Sequence, residues 1–350
     1  MLTRSVSCIL VGLVFLLVAG GCKQPESELR EKLYVFGTIV EITIRDSDKA
    51  TARAALKDVG SEFRHMHKDW HAWKPGELSS LNAAIAAGKS VQVSDFLLPL
   101  LLQAQRYERT SDGLFNAAIG GLVADWGFHD DNLPKGRAPP YEAIRAWVAS
   151  RPKVADLVIK GHEVSSRNKD VSLDFGGFAK GEALDRAVIR LKAHGIRNAV
   201  LNAGGDLNVM GVHSDRPWRA GIRHPKNWGV IATVELKPGE VLYTSGNYER
   251  FLEHEGVRYS HIIDPRTGWP VKHIVSASVI GTSGADADAA ATALSVAGPE
   301  DWFRIAKRMG VRYAMLVDDH GRIYLNPAMK ARIHLKDEEN SVVTLSPRLF

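Results

Sequence analysis

Stretches that alternate between apolar and polar positions are interspersed along the chain with stretches that carry the helical period, and this mixture predicts an α+β fold. Residues 33–45 alternate and are rich in β-branched side chains, which predicts a strand interrupted at Gly37. Residues 218–281 predict a succession of strands and turns. Helices are predicted over 48–68, 94–111 and 141–150. We therefore expect mostly antiparallel sheets into which helices are inserted as blocks.

Glycines mark the element boundaries in the second half of the chain. Residues 169–175 predict a strand that runs into a helix, which Gly176-Gly177 opens and Gly195 ends. Gly204-Gly205 separates two short strands within 198–211. Further predicted elements are helices over 285–298 and 301–310 and a hairpin over 313–326.

The first residues resemble a bacterial lipoprotein signal. Arg4 precedes an apolar run, residues 9–19, which is too short to span a bilayer because a spanning helix needs roughly 20 residues. Small residues precede Cys22, which would be lipidated; a plain secreted protein with an incidental Cys22 is the alternative. The predicted organisation is a signal peptide over 1–21, a tether over 22–32, one domain or two intertwined α/β lobes over 33–326, and a tail over 327–350.

Cysteine count and charge balance exclude several classes of function. The chain has two cysteines, Cys8 and Cys22, so removal of the signal would leave no thiol for a disulfide, a metal cluster or a nucleophile. The net charge is +5, and removal of Arg4 with the signal makes it +4. Basic residues are scattered among acidic ones, so nucleic-acid binding is not expected. The slight positive excess is compatible with an anionic small-molecule substrate.

The segment 174–181, DFGGFAKG, has the composition of an anion-binding turn. Asp174 stands at a predicted strand end, and Gly176-Gly177 lets the backbone approach a ligand closely. The predicted helix that follows offers exposed amides at its N-terminus, and Lys180 adds a positive charge in the first turn. A tight strand-to-helix turn with a solvated lysine is the alternative. The turn at Gly204-Gly205 has similar composition, and Asp206 there is expected to accept hydrogen bonds from the turn.

The alanine-rich helix predicted over 285–298 carries a second pair of polar groups. Asp288 and Thr292 are four residues apart, so their side chains share one helix face, whereas Asp286 lies on another face. A carboxylate and a hydroxyl are hard oxygen ligands that suit Mg²⁺. Acidic residues placed to suit the helix dipole are the alternative, which accounts for Asp286 and Asp288 but not for Thr292.

The segment 261–270, HIIDPRTGWP, places a histidine at the end of a predicted strand. His261 in that position suits a general base. A structural, hydrogen-bonded histidine is the alternative. Asp264-Pro265 opens a turn, and Asp264 is expected to hold it.

Taken in order, these segments resemble the ApbE-type flavin transferases, also called FAD:protein FMN transferases. The resemblance runs from about residue 33 to residue 326. Its motifs stand as FGT at 36–38, DFGGFAKG at 174–181, NAGGDL at 202–207, TSGNYER at 244–250, HIIDPRTG at 261–268 and ADAAATA at 287–293. The resemblance implies an ApbE-like, T-fold-related architecture and a protein anchored by lipid on the periplasmic side of the cell membrane, the inner membrane being favoured.

The resemblance also implies a reaction and a set of site residues. Such enzymes transfer the FMN half of FAD to a threonine or serine hydroxyl of a partner redox protein of the respiratory membrane, with release of AMP and with Mg²⁺. By this resemblance Asp288, Thr292 and the carbonyl of Gly177 would hold the metal, and His261 would be the base. The FAD-binding residues would be Phe36, Trp73, Leu114, Phe115, Asn116, Asp174, Lys180 and Ile262. Phe36 replaces the family's Met, Trp73 its Tyr, and Asn116 an acid.

Two other functions fit the same residues. A metal-dependent FAD pyrophosphatase would use the same site with water in place of the acceptor hydroxyl. A non-catalytic flavin-binding lipoprotein is the other alternative, although storage of a flavin needs no base such as His261.

Overall fold

The computed structural model describes residues 28–129, 134 and 136–350. The predicted signal peptide and Cys22 lie outside these residues. Within the described residues, no helix is both long enough and apolar enough to cross a membrane.

Strands dominate the second half of the described chain. In chain order they are β1 (Glu28–Val35), β2 (Thr38–Arg45), β3 (Val91–Gln92), β4 (Leu157–Lys160), β5 (Glu163–Ser166), β6 (Asn198–Ala203), β7 (Asp206–Met210), β8 (Trp218–Arg223), β9 (Val230–Leu236), β10 (Val241–Gly246), β11 (Phe251–His254), β12 (Val257–Ser260), β13 (Ile274–Gly281), β14 (Tyr313–Asp318), β15 (Ile323–Leu325), β16 (Ile333–Leu335) and β17 (Val343–Leu345).

The helices cluster in the first half and around the glycine-rich segments. They are α1 (Lys49–Asp69), α2 (Glu77–Ala86), α3 (Leu98–Thr110), α4 (Gly120–Asp125), α5 (Tyr141–Ser150), α6 (Ala179–Ala193), α7 (Gly284–Arg308) and α8 (Pro327–Lys330), with a 3₁₀ turn at Val154–Asp156. The two helices predicted over 285–298 and 301–310 are two halves of α7, which bends at Gly298 because that glycine has φ of 76°.

One large sheet organises the fold. Its nine strands lie in the order β1-β2-β6-β7-β10-β13-β14-β15-β17. All neighbouring pairs are antiparallel except β15 and β17. Smaller sheets are β16-β9-β8, β3-β5-β4 and the hairpin β11-β12. This mostly antiparallel sheet with helices inserted confirms the predicted α+β class.

The large sheet is covered on both faces. Along β14, Ala314 and Leu316 belong to one hydrophobic cluster, which includes residues of α1, α6 and α7. The alternate residues, Met315 and Val317, belong to a second cluster shared with β8, β9 and β16. Side chains of a strand point alternately to the two faces, so the central strands are buried between a helical layer and a small sheet.

The ends of the domain differ from the prediction. Residues 28–32, expected in the tether, begin β1, an edge strand whose charged side chains suit its exposed face. Lys32 there pairs with Glu41 of β2 at 3.2 Å. The expected tail, 327–350, contributes α8, β16 and β17, because its few apolar residues insert into the second cluster, where Met329 is fully buried.

One predicted strand is absent from the described chain. Residues 169–175 form a turn and an extended segment in which Ser172 makes only an isolated bridge with Ile119. Its backbone instead bonds to a neighbouring loop, through Ser172 N to Ala118 O at 3.1 Å and Asp174 N to Ala117 O at 2.8 Å. The apolar alternation thus reflects burial of an irregular segment.

Candidate active site

A cavity of about 560 Å³ opens where the β1–β2 turn, the segment after α1, the N-terminus of α6 and the first half of α7 meet. This volume lies in the range of small-molecule sites. All twelve residues proposed from the sequence for the metal, the FAD and the base line this one cavity: Phe36, Trp73, Leu114, Phe115, Asn116, Asp174, Gly177, Lys180, His261, Ile262, Asp288 and Thr292.

The oxygen donors of α7 face the glycine turn that precedes α6. Asp288 is almost fully buried and accepts a hydrogen bond from Gly181 N at 3.2 Å. Thr292 Oγ1 lies 3.2 Å from Ser245 Oγ of β10. A Cβ placed on Gly177 would lie 3.6 Å from Thr292 Oγ1, so the Gly177 backbone is close to that hydroxyl. The late helix and the earlier glycine turn therefore meet at the cavity wall.

The charges around Asp288 fit a divalent cation. Burial raises the pKa of the Asp288 carboxyl well above its usual range, Lys180 opposes this effect, and the neighbouring carboxylate of Asp206 adds to it. A cation held there would offset that desolvation and repulsion. The donor set of carboxylate, hydroxyl and backbone carbonyl is the kind that Mg²⁺ prefers. The residues present thus fit Mg²⁺, which Asp288, Thr292 and the Gly177 carbonyl would hold.

Lys180 is held by a buried carboxylate. Its ammonium pairs with Asp206, which is 3% exposed and also accepts from Thr244 N at 3.0 Å. Burial lowers the pKa of Lys180, but the carboxylates of Asp206 and Asp288 outweigh that effect and raise it above its ordinary value. Lys180 therefore remains charged at the cavity wall, where it suits a phosphate.

His261 lines the cavity with an unprotonated ring nitrogen. Its Nδ1 lies 3.1 Å from the carbonyl oxygen of Arg250, and a carbonyl only accepts, so Nδ1 carries the proton. Burial lowers the pKa of His261 to about 4, so the ring is neutral at pH 7 and Nε2 has a free lone pair. In this state Nε2 can accept a proton, which is what a general base requires. The turn after it is held by Asp264, which accepts from Arg266 N at 2.9 Å, as predicted.

Aromatic rings form one wall of the cavity. Phe36 packs edge-on against Phe63 and His67, with ring centroids 5.6 and 6.1 Å apart. Trp73 packs edge-on against His129 at 6.0 Å. Phe36 and Gly37 are the two loop residues of the β1–β2 hairpin, and both have positive φ, 57° and 69°. A bulky side chain is rare in that conformation, so the turn holds the Phe36 ring at the cavity at a conformational cost.

Two residues that were predicted to bind FAD make hydrogen bonds to the protein's own backbone. Asn116 donates to Pro152 O at 2.9 Å and accepts from Ala118 N at 2.8 Å, so both ends of its amide tie loops together. Asp174 accepts from Gly176 N at 2.8 Å and so closes the glycine turn with one oxygen. Both residues still line the cavity.

Comparison with known proteins agrees with this geometry. The family model described as the ApbE family matches residues 36–316.

The chain belongs to the ApbE family.

A protein of Rhodobacter capsulatus named FAD:protein FMN transferase is 50% identical over 327 residues, which cover 91% of this chain and 61% of that protein. The chain thus spans about three fifths of that relative's length. A protein of Vibrio cholerae with the same name is 29% identical and covers 92% of this chain and 97% of its own length. The crystal structure of the ApbE protein of Thermotoga maritima superposes with a TM-score of 0.79 at 29% identity, covering 88% of this chain and 99% of that one. These likenesses confirm the resemblance seen in the sequence and the predicted architecture.

Within this ApbE-family chain, sequence reasoning misplaced or missed several residues around the cavity. The Gly205 amide bonds to Asn202 Oδ1 at 2.8 Å, so Asn202, and not Asp206, accepts from that turn. Asp286 points away from the cavity and pairs with Arg106 and Tyr107 of α3, on another helix face as predicted. Further cavity-lining residues not proposed from the sequence are His67, His71, Arg223, Tyr248, Glu249 and Arg250. Three of them, 248–250, are the last residues of the quoted motif TSGNYER at 244–250, and that motif was the available signal.

Proposed function

We propose that this protein transfers the FMN half of FAD to a threonine or serine hydroxyl of a partner redox protein of the respiratory membrane, with release of AMP and with Mg²⁺ bound. The observation that carries the proposal is the convergence of a buried carboxylate, a hydroxyl, a charged lysine and a neutral histidine on one cavity. The names of the relatives support the flavin chemistry.

The chain's own residues supply what the reaction needs. The acceptor oxygen attacks the phosphorus attached to the FMN half, a P–O bond to it forms, and the P–O bond to AMP breaks. The hydroxyl proton passes to His261 Nε2, whose lone pair is free because Nδ1 donates to Arg250 O. Lys180 lies where it would neutralise phosphate charge. Bound Mg²⁺, held by Asp288, Thr292 and the Gly177 carbonyl, would add charge stabilisation to the diphosphate.

A transfer assay tests the proposal. The protein is incubated with FAD, Mg²⁺ and a purified candidate acceptor, and the acceptor is examined for covalent flavin fluorescence and for the added mass on a threonine or serine. AMP should form in equal amount to the label, and EDTA should stop both. Free FMN and AMP without labelling would support the pyrophosphatase, and FAD binding without any product would support the flavin-binding lipoprotein.

We also propose that Cys22 is lipidated and holds the domain on the periplasmic side of the inner membrane. The support is the small-residue stretch before Cys22 in the sequence. Fractionation of cells should find the protein with the inner membrane, and Cys22→Ala should release it from that fraction. An unmodified cysteine in the mass spectrum of the mature protein would contradict the proposal.

A further inference from the structure

Asp185 of α6 holds the N-terminus of the neighbouring helix, α7. One of its oxygens accepts from Gly284 N at 2.8 Å, and the other lies 3.2 Å from Ala285 N. Ser283 Oγ donates to the same carboxylate at 3.2 Å. Asn208 Nδ2 of β7 donates to it at 2.8 Å and fixes its orientation.

These bonds complete the cap of α7. The first amides of a helix have no partner within the helix. Here Asp185 takes the amides of Gly284 and Ala285, and Ser283 Oγ takes that of Asp286 at 3.2 Å. A carboxylate at a helix N-terminus also interacts favourably with the helix dipole. The cap is supplied mainly from another helix, so it fixes the axial position of α7 relative to α6.

A second contact between the two helices lies one turn away. Gly181 precedes Asp185 by four residues, which places both on the same face of α6. The Gly181 amide donates to Asp288, the proposed metal ligand. The backbones touch there, because a Cβ on Gly181 would lie 2.3 Å from the Gly284 carbonyl atoms. One face of α6 therefore contacts both the N-terminus of α7 and the carboxylate of Asp288.

We propose that Asp185 is a positioning residue that sets the affinity of the metal site by fixing the register of α7. It touches neither the FAD nor the reacting atoms; it acts through the helix that carries Asp288 and Thr292. The inference rests on the proposed metal site. Groups that orient metal ligands from outside the coordination sphere typically change metal affinity by about 10–100-fold when they are removed.

The test measures metal binding directly. Mn²⁺ is titrated into the full protein at a fixed FAD concentration, and free Mn²⁺ is followed by electron paramagnetic resonance against a protein-free FAD blank. Asp185→Asn keeps the size of the side chain but replaces one acceptor oxygen with an amide group. We expect its Mn²⁺ dissociation constant to rise about tenfold, with kcat at saturating Mg²⁺ within about threefold of wild type.

Glu108→Gln is the matched control. Glu108 is a buried carboxylate that, like Asp185, accepts from two backbone amides at the start of a helical turn, Val154 N at 2.9 Å and Ala155 N at 2.8 Å. It makes no such bond to α7, so this variant should keep the wild-type Mn²⁺ affinity. Equal weakening in both variants would overturn the inference, since the cause would then be general loss of stability.

The remaining outcomes also decide the question. If Asp185→Asn does not fold, Ser283→Ala replaces it, with an expected rise of about threefold; unchanged affinity in the folded variant overturns the inference. A wild-type protein that binds no Mn²⁺ overturns it as well. A wild-type protein that binds Mn²⁺ but labels no acceptor refutes the proposed function alone, and the inference then stands on the difference between the variants.

Discussion

At the scale of single residues, His261 shows how position decides chemistry. Its Nδ1 proton is fixed by the Arg250 carbonyl, and burial keeps the ring neutral far below its ordinary pKa. The sequence alone left a structural, hydrogen-bonded histidine open as the alternative to a base. An unprotonated Nε2 on a ring that lines the cavity, which only the fold provides, favours the base.

The pH dependence of the reaction follows from this residue. A base works only while unprotonated, and the pKa of His261 is lowered to about 4 from 6.5. The acid limb of kcat/KM should therefore lie near pH 4, and kcat/KM should stay level through pH 6.5. Steady-state rates between pH 4 and 8 check this.

His261→Ala should lower kcat by about 10²–10⁴-fold and remove that acid limb. His194→Ala, at the C-terminal end of α6, should change neither kcat nor the acid limb. A limb near pH 6.5 would contradict the assignment.

Phe36 occupies a backbone conformation that suits Asn or Gly better. Phe36→Asn should relieve roughly 1 kcal/mol of backbone strain while losing a partly exposed ring. We expect the free energy of unfolding to change by less than about 1 kcal/mol, and FAD to bind at least tenfold more weakly. Urea unfolding and fluorescence titration with FAD measure the two quantities. Unchanged FAD affinity would show that the ring serves only the fold.

At the scale of elements, the site depends on the α6–α7 pair. The spacing of Asp288 and Thr292 predicted that they share a helix face, because helical periodicity is a local property. The two halves of α7 were also predicted, since Gly298 and Pro299 break the pattern. The contact of α6 with α7 through Gly181 and Asp185 was not predicted, because the pairing of segments distant in sequence leaves no local signal in the sequence.

The two acids of α7 provide a matched pair of variants. Asp288→Ala should abolish Mg²⁺-dependent turnover, because the proposed metal site loses its buried carboxylate. Asp286→Ala, on the outer face beside Tyr107, should keep turnover and its Mg²⁺ dependence. Initial rates across a Mg²⁺ titration distinguish them, with circular dichroism to confirm folding. Undiminished turnover in Asp288→Ala would place the metal elsewhere.

At the scale of the whole molecule, the boundaries of the domain were the least predictable part. Charged residues of β1 resemble a tether because an edge strand is polar on its exposed face, and 327–350 resembles a tail because its apolar residues are few. Arg223 reaches the cavity from β8 only because the small sheet packs on the large one. The quoted motifs, in contrast, contain eight of the twelve proposed residues that line the cavity, since each motif is a continuous stretch of chain.

The C-terminal segment should contribute measurably to stability. Met329 is fully buried, so Met329→Ala should lower the free energy of unfolding by about 2–5 kcal/mol. His334, on the outward side of β16, is exposed. His334→Ala should therefore change the free energy of unfolding by less than about 0.5 kcal/mol. Urea unfolding of both variants checks this. Equal stabilities would mean that α8 and β16 are dispensable additions.

The direction of β1 has a practical consequence. The strand runs eight residues from Glu28 to the Phe36 ring at the cavity, about 26 Å at 3.3 Å per residue. A group attached upstream of Glu28 therefore joins the domain about 26 Å from the Phe36 side of the cavity. A sensor surface or a fluorescent reporter coupled upstream of Glu28 leaves the cavity-lining residues unmodified. That end of the domain is therefore the better attachment point for measuring acceptor binding in real time.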